Sequence, residues 1–300
     1  MINQQPRSSS SVSRETAKLR VGVIGLGMIG GGIAQCYARN DWPLSVYDIR
    51  PDAAAELPEV PPVLESPTEV ARRSDVIIVA VVDADQVRTV LNGPAGVFAG
   101  AQPGAVILIV STIAVSVVRE IADAAKNHGV HLIDAGVTSG EKTESRGLVV
   151  LAGGDEAVVD SIRPTLAVFS PLVQYMGPIG AGMATKIARN IITYGVWRVV
   201  YEAGLLAETA GVDLAKLVEA VRASDPQGHL ATLFLQRRGT VAPINPENVA
   251  EFQQAAYISK LMRKDLEAAL ELADELGIDL SVVPIALAGA EKVLGLKEGY

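Results

Sequence analysis

A short apolar run, residues 19–24, passes directly into Gly25-Leu26-Gly27-Met28-Ile29-Gly30, and apolar residues at helical spacing follow to about Asn40. That order leaves few folds open. The chain must end a strand, reverse within a few residues and enter a helix that packs back on the strand it came from. Gly25 permits the tight turn, Gly27 keeps side chains out of the space above the helix start, and Gly30 lets helix and strand touch. The helix start offers unpaired amides and a partial positive charge, which suit a pyrophosphate. Leu26, Met28 and Ile29 lie within this turn and are expected to line the same ligand. Asp48 closes the second apolar run, where a carboxylate can accept from the hydroxyls of an adenosine ribose. The pattern predicts a nicotinamide dinucleotide. Asp48 repels the extra phosphate of NADP, which favours NAD, whereas Arg50 could offset that charge and accept NADP.

Seven apolar runs, residues 19–24, 44–48, 76–82, 105–110, 131–134, 148–152 and 172–176, are mostly separated by helical patterns. Continuous Val/Ile-rich runs alternating with helices predict a mostly parallel sheet buried on both faces. Prolines at 58, 61, 62 and 67 make residues 51–67 a loop with at most a short helix. After Gly182 no strand pattern recurs. One helical stretch covers 183–210, and others cover 214–223, 250–276 and 282–294. The fold class is therefore α/β, a Rossmann-type domain over 19–178 joined by a long helix to an all-helical domain over 179–300. Residues 1–18 read as a disordered tail.

A formal charge of −8 argues against a nucleic-acid partner, which would require a basic face. One cysteine, Cys36, excludes an internal disulfide and a cysteine-based zinc site. No His/Asp/Glu cluster has metal spacing, no apolar run reaches the ~18 residues of a membrane span, and no secretory signal opens the chain. A cytoplasmic location with no membrane partner is expected.

The long helix opens with Gly180-Ala181-Gly182-Met183-Ala184-Thr185-Lys186-Ile187-Ala188-Arg189-Asn190. Lys186 and Asn190 share one face, which Tyr194 and Trp197 continue. An amine there could exchange a proton with a substrate hydroxyl while an amide orients the oxygen. Such a lysine works near neutral pH when burial or a nearby cation favours its neutral form, and Arg189 is the candidate neighbour. Taken alone, a lysine and an asparagine on a helix are more often a solvated face.

Five ordered motifs change that balance. The glycine turn, Ser111-Thr112-Ile113, Asp134-Ala135-Gly136-Val137-Thr138-Ser139-Gly140, the Gly180–Lys186 helix start and Lys264-Asp265-Leu266 together resemble the β-hydroxyacid dehydrogenases, which include 3-hydroxyisobutyrate dehydrogenase. The resemblance implies that Lys186 is the catalytic lysine and Asn190 the residue that orients the substrate. It implies that Thr138, Ser139 and Gly140 hold the substrate, and that Val81, Val82, Gln86 and Thr112 line the cofactor. Lys264 would reach towards the nicotinamide. The implied reaction moves a hydride between NAD(P) and a small β-hydroxy acid or its semialdehyde.

Departures fall in the substrate shell. The family's Asp-Ala-Pro-Val-Ser-Gly-Gly is loosened at Gly136, Thr138 and Ser139, the charged pair Glu141-Lys142 follows Gly140, and Arg189 stands where many relatives have asparagine. As a substrate-binding residue Arg189 would pair with a carboxylate. Thr193 replaces the second acid of 6-phosphogluconate dehydrogenases, and Lys186 speaks against an imine reductase. A non-catalytic dinucleotide-binding protein is the rival from another class. His128 and His131 read as turn or surface residues, and His229 as a loop residue with a lesser chance of touching the substrate. The bare apolar face of the long helix predicts a homodimer or homotetramer.

Overall fold

The computed structural model describes residues 18–143, 146–228, 244–245 and 247–296. The first half begins β1 (Val21–Ile24), α1 (Met28–Ala38), β2 (Leu44–Tyr47), α2 (Pro67–Arg72), β3 (Val76–Val79), α3 (Ala84–Leu91) and β4 (Val106–Ile109). It continues α4 (Val115–Asn127), β5 (His131–Thr143), β6 (Arg146–Gly153), α5 (Glu156–Leu166) and β7 (Leu172–Gly177). The strands form one sheet in the order β2-β1-β3-β4-β5-β6-β7, parallel throughout except where β5 meets β6. Ile24, Ile77, Val79, Ile107 and Ile109 face one layer of helices; Val23, Val76, Ile78, Leu108 and Ile133 face the other. The unbroken apolar runs are thus explained by burial on both faces.

Helix starts are set locally. Ser66, Asp83 and Asp155 accept amides in the first turns of α2, α3 and α5, each satisfying a donor the helix cannot. The one large departure from the expected strands is β5. Its apolar run ends at Asp134, yet the strand continues to Thr143 because β6 turns back and pairs with it, Val137 opposite Val150 and Thr138 opposite Val149. Pairing of this kind supplies backbone partners that residue type does not reveal.

The second half is helical: α6 (Ala181–Thr209), α7 (Leu214–Ser224), α8 (Val249–Leu276), α9 (Val283–Ala288) and α10 (Ala290–Val293). Packing divides the chain into two units, with the break after Ala188, inside α6. The stretch expected as one helix over 282–294 is interrupted at Gly289. Asn248 caps the start of α8, its Oδ1 accepting the Glu251 amide and its Nδ2 donating to the Glu251 carboxylate, and Gly277, at φ 66°, ends it in the left-handed conformation. In the second unit the buried carboxylate of Glu202 accepts from Ser281 Oγ (3.0 Å) and the Val282 amide (2.9 Å), and pairs with Arg198 (2.8 Å). Burial pushes this carboxyl up, but the Val282 amide, Ser281 and Arg198 outweigh it and hold it below its ordinary value. Among the described residues, no helix is long and apolar enough to cross a membrane. The expected tail lies outside the described residues, save Lys18.

Candidate active site

The glycine turn has the geometry its sequence demands. Gly25 has φ +90°, and its amide donates to the Tyr47 carbonyl (2.8 Å), fastening the end of β1 to β2. A Cβ on Gly30 would fall on the Gly25 carbonyl and within 2.9 Å of Ala80 Cβ, so only a bare α-carbon lets α1 lie this close. Above Gly27 the space is open: a Cβ there meets nothing within 4 Å. Met28 is 94% exposed, and the start of α1 has neither a side-chain cap nor an acidic residue in its first turn. Those bare amides are what a diphosphate would cap.

Asp48 is nearly buried beneath the turn. Its Oδ2 accepts the Leu26 amide (2.7 Å), and its Oδ1 accepts the Arg50 amide (2.9 Å) and Arg50 Nε (3.1 Å). Burial pushes the carboxyl up, yet the amides of Arg50 and Leu26 and the Arg50 guanidinium outweigh it, leaving it below the usual carboxylate range. Asp48 therefore braces the glycine turn as well as facing the ligand space. A 720 Å³ cleft opens here, with Gly25, Gly27, Asp48, Arg50, Val81, Val82 and Gln86 among its lining residues. Thr89 and Asn92 to Ala95 also line it; residue order does not mark them for a ligand, although Gly93-Pro94 after a helix is a turn signal. Gln86 Oε1 accepts the Val82 amide (3.1 Å), and the Ser111 hydroxyl donates to the Val81 carbonyl (2.7 Å), which ties the loops after β3 and β4 together. Thr112, also expected at the cofactor, is exposed beside Ser111 and does not line this cleft.

The lysine helix meets the sheet through missing side chains. A Cβ on Gly136 of β5 would lie 2.5 Å from Lys186 Cβ and 3.3 Å from its Cγ. A Cβ on Gly182 would overlap the Asp134 and Leu151 carbonyls, and one on Gly153 would come within 2.6 Å of the Gly182 nitrogen. The first turns of α6 thus rest on the backbone of β5 and β6, and the half-buried Lys186 rises from beside Gly136, two residues before Thr138. Asp134, 0% exposed, holds this junction: its Oδ1 accepts the Gly180 amide (2.7 Å) and its Oδ2 the Met183 amide (2.6 Å). Burial pushes its carboxyl above the ordinary value, more than the amides of Met183 and Gly180 bring it back. In the sequence Asp134 closes the apolar run 131–134 and opens the Asp134–Gly140 motif, and neither position reveals these amide partners.

Other expected residues divide. Asn190 follows Lys186 by one turn and is half-buried, and Arg189 and Tyr194 are exposed. Lys264 is exposed on α8 and pairs with Asp265 (3.3 Å). The backbone of Ser139 and Gly140 belongs to β5, while their side chains, with Glu141, Lys142, Trp197 and His229, lie outside what is described. His128 stacks on Phe98 with ring centroids 4.5 Å apart, in a packing role. Among the described residues no group of His, Cys, Asp and Glu could hold a metal.

With this geometry in place, two family models match the chain. The NAD binding domain of 6-phosphogluconate dehydrogenase covers residues 20–177, and the NAD-binding domain of NADP-dependent 3-hydroxyisobutyrate dehydrogenase covers 180–293. An uncharacterized oxidoreductase of Mycobacterium tuberculosis is 33% identical over 92% of this chain and 94% of its own. The 2-(hydroxymethyl)glutarate dehydrogenase of Eubacterium barkeri is 27% identical over 89% and 87%. A crystal structure from Mycobacterium avium 104, of a protein assigned to the oxidoreductases, superposes with a TM-score of 0.78 at 32% identity, covering 94% of this chain and 100% of the other.

Proposed function

Because the chain belongs to the 3-hydroxyisobutyrate dehydrogenase-like β-hydroxyacid dehydrogenases, NAD(P)-dependent enzymes, we propose that it oxidises a small β-hydroxy acid, or reduces the matching semialdehyde, with Lys186 as general acid/base. The observation that carries this reading is the seat of Lys186: its stem lies against Gly136, on the strand that goes on to Thr138. The cradle suits the cofactor, since open space lies over Gly27 and the α1 amides have no side-chain cap. When bound, the dinucleotide supplies the hydride acceptor for oxidation and the donor for reduction.

Every other part of the reaction falls to the chain. In oxidation the carbinol C–H leaves as hydride, the C–O bond becomes a carbonyl, and the hydroxyl proton passes to Lys186 Nζ. Reduction returns that proton. Asn190, on the same helix face, orients the reacting oxygen. Thr138, Ser139 and Gly140 hold the substrate carboxylate, with Arg189 adding a charge-assisted contact. The E. barkeri relative is named for a hydroxymethyl diacid, in keeping with a carboxylate-bearing substrate. NAD is the preferred cofactor because the Asp48 carboxylate, held below its ordinary value, would repel the extra phosphate of NADP, and Arg50 leaves NADP usable. Lys264 is assigned to the cofactor on the family resemblance.

The test is a screen of 3-hydroxyisobutyrate, 3-hydroxypropionate, glycerate, L-serine, 2-(hydroxymethyl)glutarate and their semialdehydes against NAD and NADP, following nicotinamide absorbance. Turnover of at least one hydroxy acid is expected. Dinucleotide binding with no turnover anywhere would leave a binding protein, and NADPH-dependent reduction of cyclic imines alone would move the activity to imines.

A second copy of the chain is proposed to cover α6. Ile191, Tyr194, Val199, Val200 and Tyr201 are exposed on it. Between Ile187 and Ala207 the charged residues are Arg189, Arg198 and the buried Glu202. Monomers seldom leave so long an apolar surface bare. Light scattering should give a mass of at least twice the 31.4 kDa chain, and Val200→Asp should lower it. A wild-type mass of one chain would discard the assembly.

A further inference from the structure

We propose that Asp134 is a positioning residue for Lys186: its buried carboxylate ties the Gly180 and Met183 amides to β5 and so fixes how the lysine stands over Gly136. The inference rests on the acid/base reading of Lys186 and adds to it what holds the amine in place.

The helix is constrained from both sides. Towards the sheet it lies close, because a Cβ on Gly182 would overlap the Asp134 and Leu151 carbonyls, and one on Gly136 would overlap the Lys186 stem. Away from the sheet it is restrained by Asp134, whose two oxygens each take a different amide of the turn, at 2.7 and 2.6 Å. One bond would leave a pivot; two acceptors on one rigid, fully buried group fix rotation as well as separation. Lys186 follows Met183 by three residues, so a change of tilt in that turn is passed to its amine through a long side chain. A misplacement of about 1 Å at a reacting group can cost ~10²-fold in rate. An ordinary helix cap needs one acceptor and tolerates solvent. This one sits at the foot of the proposed catalytic helix with no solvent access.

Asparagine at 134 would keep the shape and one acceptor but turn a second donor against an amide. Serine would keep a single short acceptor. The experiment compares wild type, Asp134→Asn, Asp134→Ser, Gly136→Ala and Lys186→Met, using 3-hydroxyisobutyrate or the panel member turned over fastest. It measures kcat, the KM for the dinucleotide, NADH affinity by fluorescence, and Tm. Asp134→Asn and Asp134→Ser are expected to lose ~30- to 100-fold in kcat with NADH affinity within about twofold of wild type. Gly136→Ala, which displaces the lysine stem without touching the carboxylate, should show the same split, and combining it with Asp134→Asn should cost less than the product of the two losses. Unchanged kcat in Asp134→Asn beside an inactive Lys186→Met overturns the positioning role alone. Parallel losses of kcat, NADH affinity and Tm, or failure of both Asp134 variants to fold, make Asp134 a fold determinant and overturn it equally. An active Lys186→Met removes the acid/base reading and this inference together.

Discussion

Replacing Lys186 by methionine is expected to lower kcat by ~10² to 10⁴ while NADH binds as it does to wild type. Methionine keeps the unbranched stem that lies against Gly136 and is a good helix former, so α6 should remain in place. What is removed is the amine. Without it the substrate hydroxyl must lose its proton to water, and the carbonyl in reduction has no acid beside it. The pyrophosphate cradle proposed above lies at the first turn of α1, a separate element, so NADH affinity should not respond. The expected signature is therefore a kcat loss alone. A variant turning over within fivefold of wild type would remove Lys186 from the mechanism, and an equal loss of NADH affinity would mean that the lysine holds the cofactor and not a proton. Arg189, exposed one turn away, should not substitute.

Much of this was legible from residue order, and the reason differs from element to element. The glycine turn could be read because each glycine answers a separate steric demand, and the fold shows each one: positive φ at Gly25, open space at Gly27, contact at Gly30. The sheet could be read because burial on both faces leaves its strands continuously apolar. The length of β5 was hidden, since Gly136, Thr138 and Ser139 become strand by pairing with β6 and not by propensity. Asp134 was hidden for a related reason. A carboxylate at a strand end reads equally as a solvated or a site residue, and its partners, Gly180 and Met183, are remote in sequence. Asp48 was read from position as a ribose ligand, and position could not reveal that Leu26 and Arg50 already engage both of its oxygens. Pattern reported which residues share a face; it did not report which polar groups spend their hydrogen bonds inside the protein.

Gly30→Val should weaken dinucleotide binding by about 100-fold. The new Cβ would fall on the Gly25 carbonyl, which cannot turn aside because the Gly25 amide is fastened to Tyr47 and the next amide, Leu26, to Asp48. Ala80 closes the remaining direction at 2.9 Å. The helix must recoil, and overpacking of this kind costs about 1–3 kcal/mol. Recoil would also move the α1 amides that the proposed cradle offers a pyrophosphate, and about 2.7 kcal/mol lost from binding is about 100-fold in affinity. Gly27→Ala separates the two effects. Its Cβ meets nothing within 4 Å, so Tm should hold while NADH binding falls, because the methyl would occupy the space proposed for the ligand. Thermal melts and NADH fluorescence on the two variants distinguish strain from obstruction: Gly30→Val should lose stability and binding together, Gly27→Ala binding alone. A Gly30→Val protein that binds NADH within threefold of wild type would show that α1 can retreat without moving its amides. The contact between helix and strand would then have nothing to do with the cofactor, and the cradle over Gly27 would have to be assigned to another ligand.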